Sequence, residues 1–366
     1  MRKLRLFSPG VSGTVLAACL AAAAAVGGAG AGSDPLAAEI DRWSAFLQTN
    51  PRTDENWTQI KKVTQPLITL AREAFNDGRR LLALHRLAAA RTNLAAAAWV
   101  GERPADKRND ADFLDAEWKR AGNTLKADLG PLHPGDLENV KPAAVRGLAE
   151  AALLQVRAFY EASAEYGRST EPQYGLFYLG QAQAQRDFVA FCRKLTEPSS
   201  RRAPPLRSIA GELDVLEGEI LDAYRPPASI DKHSDFIAAS ALLKEARELN
   251  TACFWRGALF RYLQAVQRFA PLRPGAAPIE GEALTSRLKA FESRLDASEF
   301  DESIGRLFLE AGQAAAGAGL TPGIAPAWPV ATDVLPRYFA ALEPAKPMPP
   351  RPTPRATVTL VRWPYT

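Results

Sequence analysis

His85, His133 and His233 are the only histidines in the chain. A histidine metal site needs two or three such residues at close helical or hairpin spacing. Neither His-Glu-x-x-His nor Glu-x-x-His occurs, so zinc-hydrolase and di-iron chemistry lose their usual ligands. Each histidine reads as a surface residue or a hydrogen-bonded partner, and no metal or cofactor is expected. Carboxylates are the other source of chemistry. Glu212, Asp214, Glu217, Glu219 and Asp222 surround the apolar positions Leu213, Leu216, Ile220 and Tyr224 on one expected helix. Glu217 or Asp214, working with a tyrosine, would serve a hydrolase or lyase acting on a glycan or cell-wall polymer if two carboxylates faced one bond. Acids spread over several faces of a helix read instead as a solvated flank. No Gly-x-Ser-x-Gly elbow, phosphate-binding loop or Gly-x-Gly-x-x-Gly accompanies them, so no catalytic residue is assigned.

A second acidic group, Asp110-Ala111-Asp112-Phe113-Leu114-Asp115, puts the carboxylates of 112 and 115 on one helical face. It resembles the aspartate-rich motif of all-helical terpene synthases, but lacks the adjacent aspartate pair, and the second metal-binding motif of that family is absent. Asn109 and Asp110 read as a helix cap, with the following acids favoured by the helix dipole. Aromatic residues concentrate in two groups. Phe159, Tyr160, Tyr166, Tyr174, Phe177, Tyr178, Phe188 and Phe191 form one, and Phe254, Trp255, Phe260, Tyr262 and Phe269 the other. Most are expected in the core, with edge tyrosines able to line a cleft for a peptide, glycan or apolar ligand.

The elements that hold these residues follow a leader. Arg2, Lys3 and Arg5, an apolar and small-residue stretch from Val11 to Val26, and Ala29-Gly30-Ala31 have the build of a secretory signal peptide over residues 1–31. The expected location is periplasmic or secreted. Leu16-Ala17-Ala18-Cys19 also resembles a lipobox, which implies lipid attachment at Cys19 and a membrane-anchored lipoprotein as the alternative fate; membrane association is expected only in that case. Of the formal charge of +4, the three cations Arg2, Lys3 and Arg5 leave with the leader, so the mature chain is nearly neutral and gives no basis for a nucleic-acid partner. Cys192 and Cys253 remain as an even pair in an oxidising space. A disulfide between them would close a loop of about 60 residues, worth roughly 4 kcal/mol in the chain-entropy model, and two separate buried thiols are the alternative.

From Ser33 to Ala316, alanine, leucine, arginine and glutamate dominate, and apolar residues recur at spacings of three and four. This predicts an all-α fold, an irregular helical bundle or α-solenoid of about 10–12 helices. Pro66 is expected to end one helix and restart the chain, and a break is expected near residues 249–254. The Pro/Ser stretch from Thr196 to Pro205 is the expected boundary between helical halves at 32–196 and 206–343. Three segments, Gly78–Leu94, Gly175–Leu195 and Gly257–Phe269, resemble the first helix of a tetratricopeptide repeat. The 34-residue period is missing, so that family's peptide-binding role is not carried over. Residues 344–366 form a Pro-rich basic tail. It ends in one strand-prone segment, where Val358, Leu360 and Trp363 are the candidate partner-binding residues, by strand addition to another protein or by folding back on the body. Together these features predict an exported, non-enzymatic helical protein that binds or scaffolds within the cell envelope, its partner another envelope protein or a peptide.

Overall fold

Asp34 accepts a hydrogen bond from the Leu36 N–H at 2.8 Å, and Pro35 takes the first turn, where its missing N–H costs nothing. They start helix α1 (Pro35–Thr49), which buries Ile40, Trp43 and Leu47 along one stripe. The computed structural model describes residues 34–129, 134–167, 171–195, 201–204, 206–226, 230–273, 278–318 and 326–343. The leader with Cys19, His133, and the tail with Val358, Leu360 and Trp363 lie outside the described residues. Eleven further α-helices follow among the described residues: α2 (Glu55–Asn76), α3 (Arg80–Gly101), α4 (Ala111–Leu129), α5 (Ala143–Gly167), α6 (Pro172–Lys194), α7 (Ala210–Ala223), α8 (His233–Thr251), α9 (Trp255–Phe269), α10 (Gly281–Asp296), α11 (Ser303–Ala318) and α12 (Leu335–Leu342). The fold is all-α. Among the described residues the only β pairing is an isolated bridge between Arg202 and Phe300.

The helices form two compact units. The first comprises α1–α4, the part of α5 from Gln155 onward, and α6. Within it α2 packs on α3, α3 on α6, and α6 on α4. The alanine-rich sequence of α3 permits a very close approach, and Gly180 of α6 sits where an added Cβ would lie 3.1 Å from the Cα and carbonyl oxygen of Ala96. A buried ion pair ties three helices together. Arg91 Nε of α3 donates to Glu39 Oε1 of α1 at 2.9 Å, and its Nη1 donates to the Ala184 carbonyl of α6 at 2.6 Å. The Trp43 indole donates to the same carboxylate at 2.8 Å. Burial pushes the Glu39 carboxyl up, but Arg91, Trp43 and Arg42 together outweigh it, so the net shift is downward.

The second unit comprises the stretch up to Leu154, with the first turns of α5, and then α7–α12. This unit thus takes in residues 134–154 as well as the helices that follow residue 195. Helix α9 is the centre. Leu259, Phe260, Leu263, Val266 and Phe269 are at most 1% exposed, and α8, α12 and a π-helical turn at Val330–Val334 pack around it. The expected break after α8 occurs at Ala252-Cys253, with Cys253 at a φ of 62°, a left-handed conformation that side chains other than glycine's rarely adopt.

Pro66 does not end a helix. It lies inside α2 on the exposed face, where solvent can reach the carbonyl that its missing N–H leaves unbonded, while Ile60, Thr64 and Ile68 on the other face stay buried. Burial of the apolar stripe on both sides of the proline outweighs one lost hydrogen bond.

Two glycines should respond to substitution with opposite signs in thermal unfolding. Gly180→Leu must push α3 and α6 apart and is expected to cost about 1–3 kcal/mol. Gly218→Ala, with nothing within 4 Å of the new Cβ, is expected to gain up to about 1 kcal/mol of helix propensity. Glu39→Gln leaves a buried guanidinium without its anion and is expected to lower stability at pH 7 by about 3 kcal/mol. The folded-state carboxyl of Glu39 titrates below its ordinary value of 4.5, so its stabilisation is complete above that pH and is lost as the pH falls through the lowered value. Urea titrations at a series of pH values should show the gap between wild type and variant closing toward acid.

A candidate binding face on the α7–α8 hairpin

Helix α7 is amphipathic at the spacing the sequence shows, with Leu213, Leu216 and Ile220 at most 2% exposed against the rest of the second unit. The other sides carry the five acids, and each has an arginine. Arg207 reaches Glu212 at 2.5 Å, Arg247 of α8 bridges Asp214 at 2.8 Å and Glu217 at 2.6 Å, Arg337 of α12 holds Glu219 at 2.6 Å, and Arg225 lies 3.3 Å from Asp222. Asp214 and Glu217 are exposed and share one cation.

The hairpin also exposes apolar surface. Val215 (60%), Leu221 (61%), Ile230 (60%) and Ile237 (52%) are four of the six large apolar side chains left exposed among the described residues. Single exposed apolar residues are ordinary, but their concentration between residues 215 and 237 makes this hairpin a candidate interaction surface. Its connecting end is held by Tyr224, which stacks on Phe236 with ring centroids 4.0 Å apart and hydrogen-bonds His233 Nδ1 at 2.7 Å. His233 is thus a hydrogen-bonded partner, as read from the sequence.

The other sequence candidates resolve individually. Asp110 caps α4, its Oδ1 accepting from the N–H groups of Asp112 at 3.0 Å and Phe113 at 3.1 Å, while Asp115 pairs with Lys119 at 2.6 Å. Of the thirteen residues in the two aromatic groups, six are core, namely Tyr160, Phe188, Phe254, Phe260, Tyr262 and Phe269, six are half-buried, and Tyr166 is exposed and stacks on Tyr178 at 4.8 Å. Cys192 and Cys253 are both free thiols in this structure. Cys192 is wholly buried in α6, where burial pushes its thiol up, and Cys253 is exposed at the turn before α9. Among the described residues no group of three or more histidine, cysteine or carboxylate side chains is arranged to hold a metal ion, and no helix is long and apolar enough to cross a membrane.

Sequence reasoning missed a buried polar lattice in the second unit. Asp301 Oδ2 accepts from the Ala143 N–H at 2.7 Å and Ser303 Oγ from the Ala144 N–H at 2.8 Å, so both meet the first turn of α5. Glu150, fully buried, pairs with Arg146 at 2.7 Å and accepts from the Gly257 N–H at the start of α9 at 2.6 Å; burial pushes its carboxyl up. Glu302 accepts from Ser298 Oγ at 2.7 Å and from the Tyr338 hydroxyl, whose pKa burial and that carboxylate raise well above the usual value. Glu302 lies in the wall of an open depression of about 300 Å³ shared with Arg294, Phe300, Phe339 and Glu343. Both its oxygens are engaged, which leaves it holding a tyrosine rather than free for proton transfer. The local signal was the run Asp301-Glu302-Ser303 at the start of a helix, and it names the acceptors' type but not their distant partners. No family profile, curated protein or solved structure matches this chain.

Chemical denaturation separates the two kinds of acid. Arg247→Gln, which frees two exposed carboxylates, is expected to cost less than about 1 kcal/mol. Glu150→Ala, which strands a buried guanidinium and a helix N–H, is expected to cost about 3 kcal/mol or more.

Proposed function

We propose that this chain is an exported, non-enzymatic helical binding or scaffolding protein of the cell envelope, and that it engages its partner through the α7–α8 hairpin and the basic tail. The observation that carries this reading is the state of the exposed α7 acids: Arg247 holds Asp214 and Glu217, and Arg225 holds Asp222, beside exposed Val215, Leu221, Ile230 and Ile237. Charged groups interleaved with exposed apolar side chains suit a protein or peptide partner. The leader supports a periplasmic or secreted location, and lipidation at Cys19 would make the same protein membrane-anchored. The body is read as an irregular bundle rather than a repeat array, because its helices run from 8 to 25 residues without a recurring pair.

The test is affinity capture from an envelope fraction with the mature chain and with Val215→Glu/Leu221→Glu/Ile237→Glu. All three positions are exposed, so the variant is expected to keep its melting temperature and to lose a specific partner that the wild type retains. Equal capture by both proteins would refute the reading. So would release of soluble fragments from cell-wall polymer by the wild type that Asp214→Asn/Glu217→Gln abolishes.

A further inference from the structure

The aromatic group of the first unit meets along two helices. Gln155, Phe159, Ala162 and Tyr166 recur at helical spacing on α5, and Tyr174, Tyr178, Gln181 and Gln185 do so on α6, so each set forms one stripe. The stripes are in contact and run antiparallel. Tyr166 stacks on Tyr178 with ring centroids 4.8 Å apart and lies 6.4 Å from Tyr174, Phe159 lies 6.3 Å from Tyr178, and Gln185 Nε2 donates to Gln155 Oε1 at 2.8 Å. Tyr166 is 42% exposed, and Phe159, Tyr174 and Tyr178 are half-buried. From Tyr174 to Gln185 the seam is about 16 Å long. Rings line one end and amides the other.

The amide end is oriented from beneath. Gln181 and Gln185 are 8% and 7% exposed. Gln181 Nε2 donates to Asn93 Oδ1 of α3 at 2.9 Å, and Gln185 Nε2 is shared between Gln155 Oε1 and Thr92 Oγ1, the latter at 2.9 Å. These buried donors occupy the carbonyl oxygens of two half-buried amides, so what Asn93 and Gln155 have left to offer is their amino groups. No charged side chain interrupts either stripe, and Arg157 and Glu161 beside them neutralise each other at 2.8 Å.

An uncharged ring that is apolar on its face and hydroxylated at its rim fits this pairing. The C–H face of a sugar lies flat on an aromatic ring, and its hydroxyls accept from planar amides. A charged ligand finds no counter-ion in the seam, and a purely apolar one leaves the amides unpaired. We propose that the α5–α6 seam of the first unit binds a neutral oligosaccharide, its pyranose rings against Tyr166 and Phe159 and its hydroxyls on the amino groups of Asn93 and Gln155. The site shares no residue with the α7–α8 hairpin and does not depend on what the hairpin binds.

The test is calorimetric titration of the full mature chain with chitotetraose, cellotetraose and maltotetraose, neutral tetrasaccharides that differ in linkage or substituent. Saturable binding of at least one of them at millimolar concentration or below is expected, with little dependence on salt. Tyr166→Ala is expected to weaken it several-fold at an unchanged melting temperature, because the side chain is exposed, and Tyr166→Phe, which keeps the ring, to bind as the wild type does. Asn93→Leu, which removes an amide donor at similar size, is expected to weaken it as well. Binding of none of the three sugars, undiminished binding by Tyr166→Ala, or a loss on Tyr166→Phe as large as on Tyr166→Ala would each overturn the site. So would saturable binding of a proline-rich peptide that no sugar displaces. Val215→Glu/Leu221→Glu/Ile237→Glu separates the two surfaces: the variant is expected to keep the sugar whether or not it loses an envelope partner, and loss of the sugar would count against the seam.

Discussion

A helix that begins inside a protein brings N–H groups that its own first turn cannot satisfy, and the second unit is organised around that need. The start of α5 is met by Asp301 and Ser303, more than 150 residues away in sequence, and the start of α9 by Glu150. These contacts set the positions of α5 and α11 relative to each other and bring α9 against α5 closely enough that a Cβ on Gly257 would lie 2.8 Å from that of Glu150. Leaving one such N–H without an acceptor would cost about as much as a lost core side chain. The small residue and the buried carboxylate are therefore parts of one solution.

The same residue type takes a different role where water is present. Glu217 and Glu150 are both glutamates on helices with an arginine at hand. Glu150 is sealed from solvent, its charge costs desolvation energy, and its partners are required. Glu217 is half exposed, its ion pair is weak, and its partners are interchangeable. An interior acid of this kind holds the fold, and an exterior one is free to meet another molecule. That contrast is why the acidic hairpin, and not the buried lattice, is the surface proposed for recognition.

Much of the fold was legible because periodicity and punctuation act locally. The Asp34-Pro35 start, the Asp110 cap, the Pro172 start and the break at Ala252-Cys253 all depend on residues within one helical turn. Pro66 misled because a local rule met a non-local force: burial on both sides of it outweighed the single hydrogen bond it removes. The acidic helix was legible as amphipathic, but whether its acids opposed one another was not, since that depends on Arg247 and Arg337 arriving from other helices.

Composition and spacing, then, determined by themselves that the body is helical, roughly where its helices begin and end, and which face of each is apolar, because helix propensity, capping and the 3.6-residue period are properties of neighbouring residues. Only the tertiary structure decided which acids became buried caps and which stayed on the surface, that two cysteines on helical segments remain free thiols, and that residues 134–154 join the second unit. Those outcomes depend on which helices meet, and the energy of that meeting comes from side chains far apart along the chain.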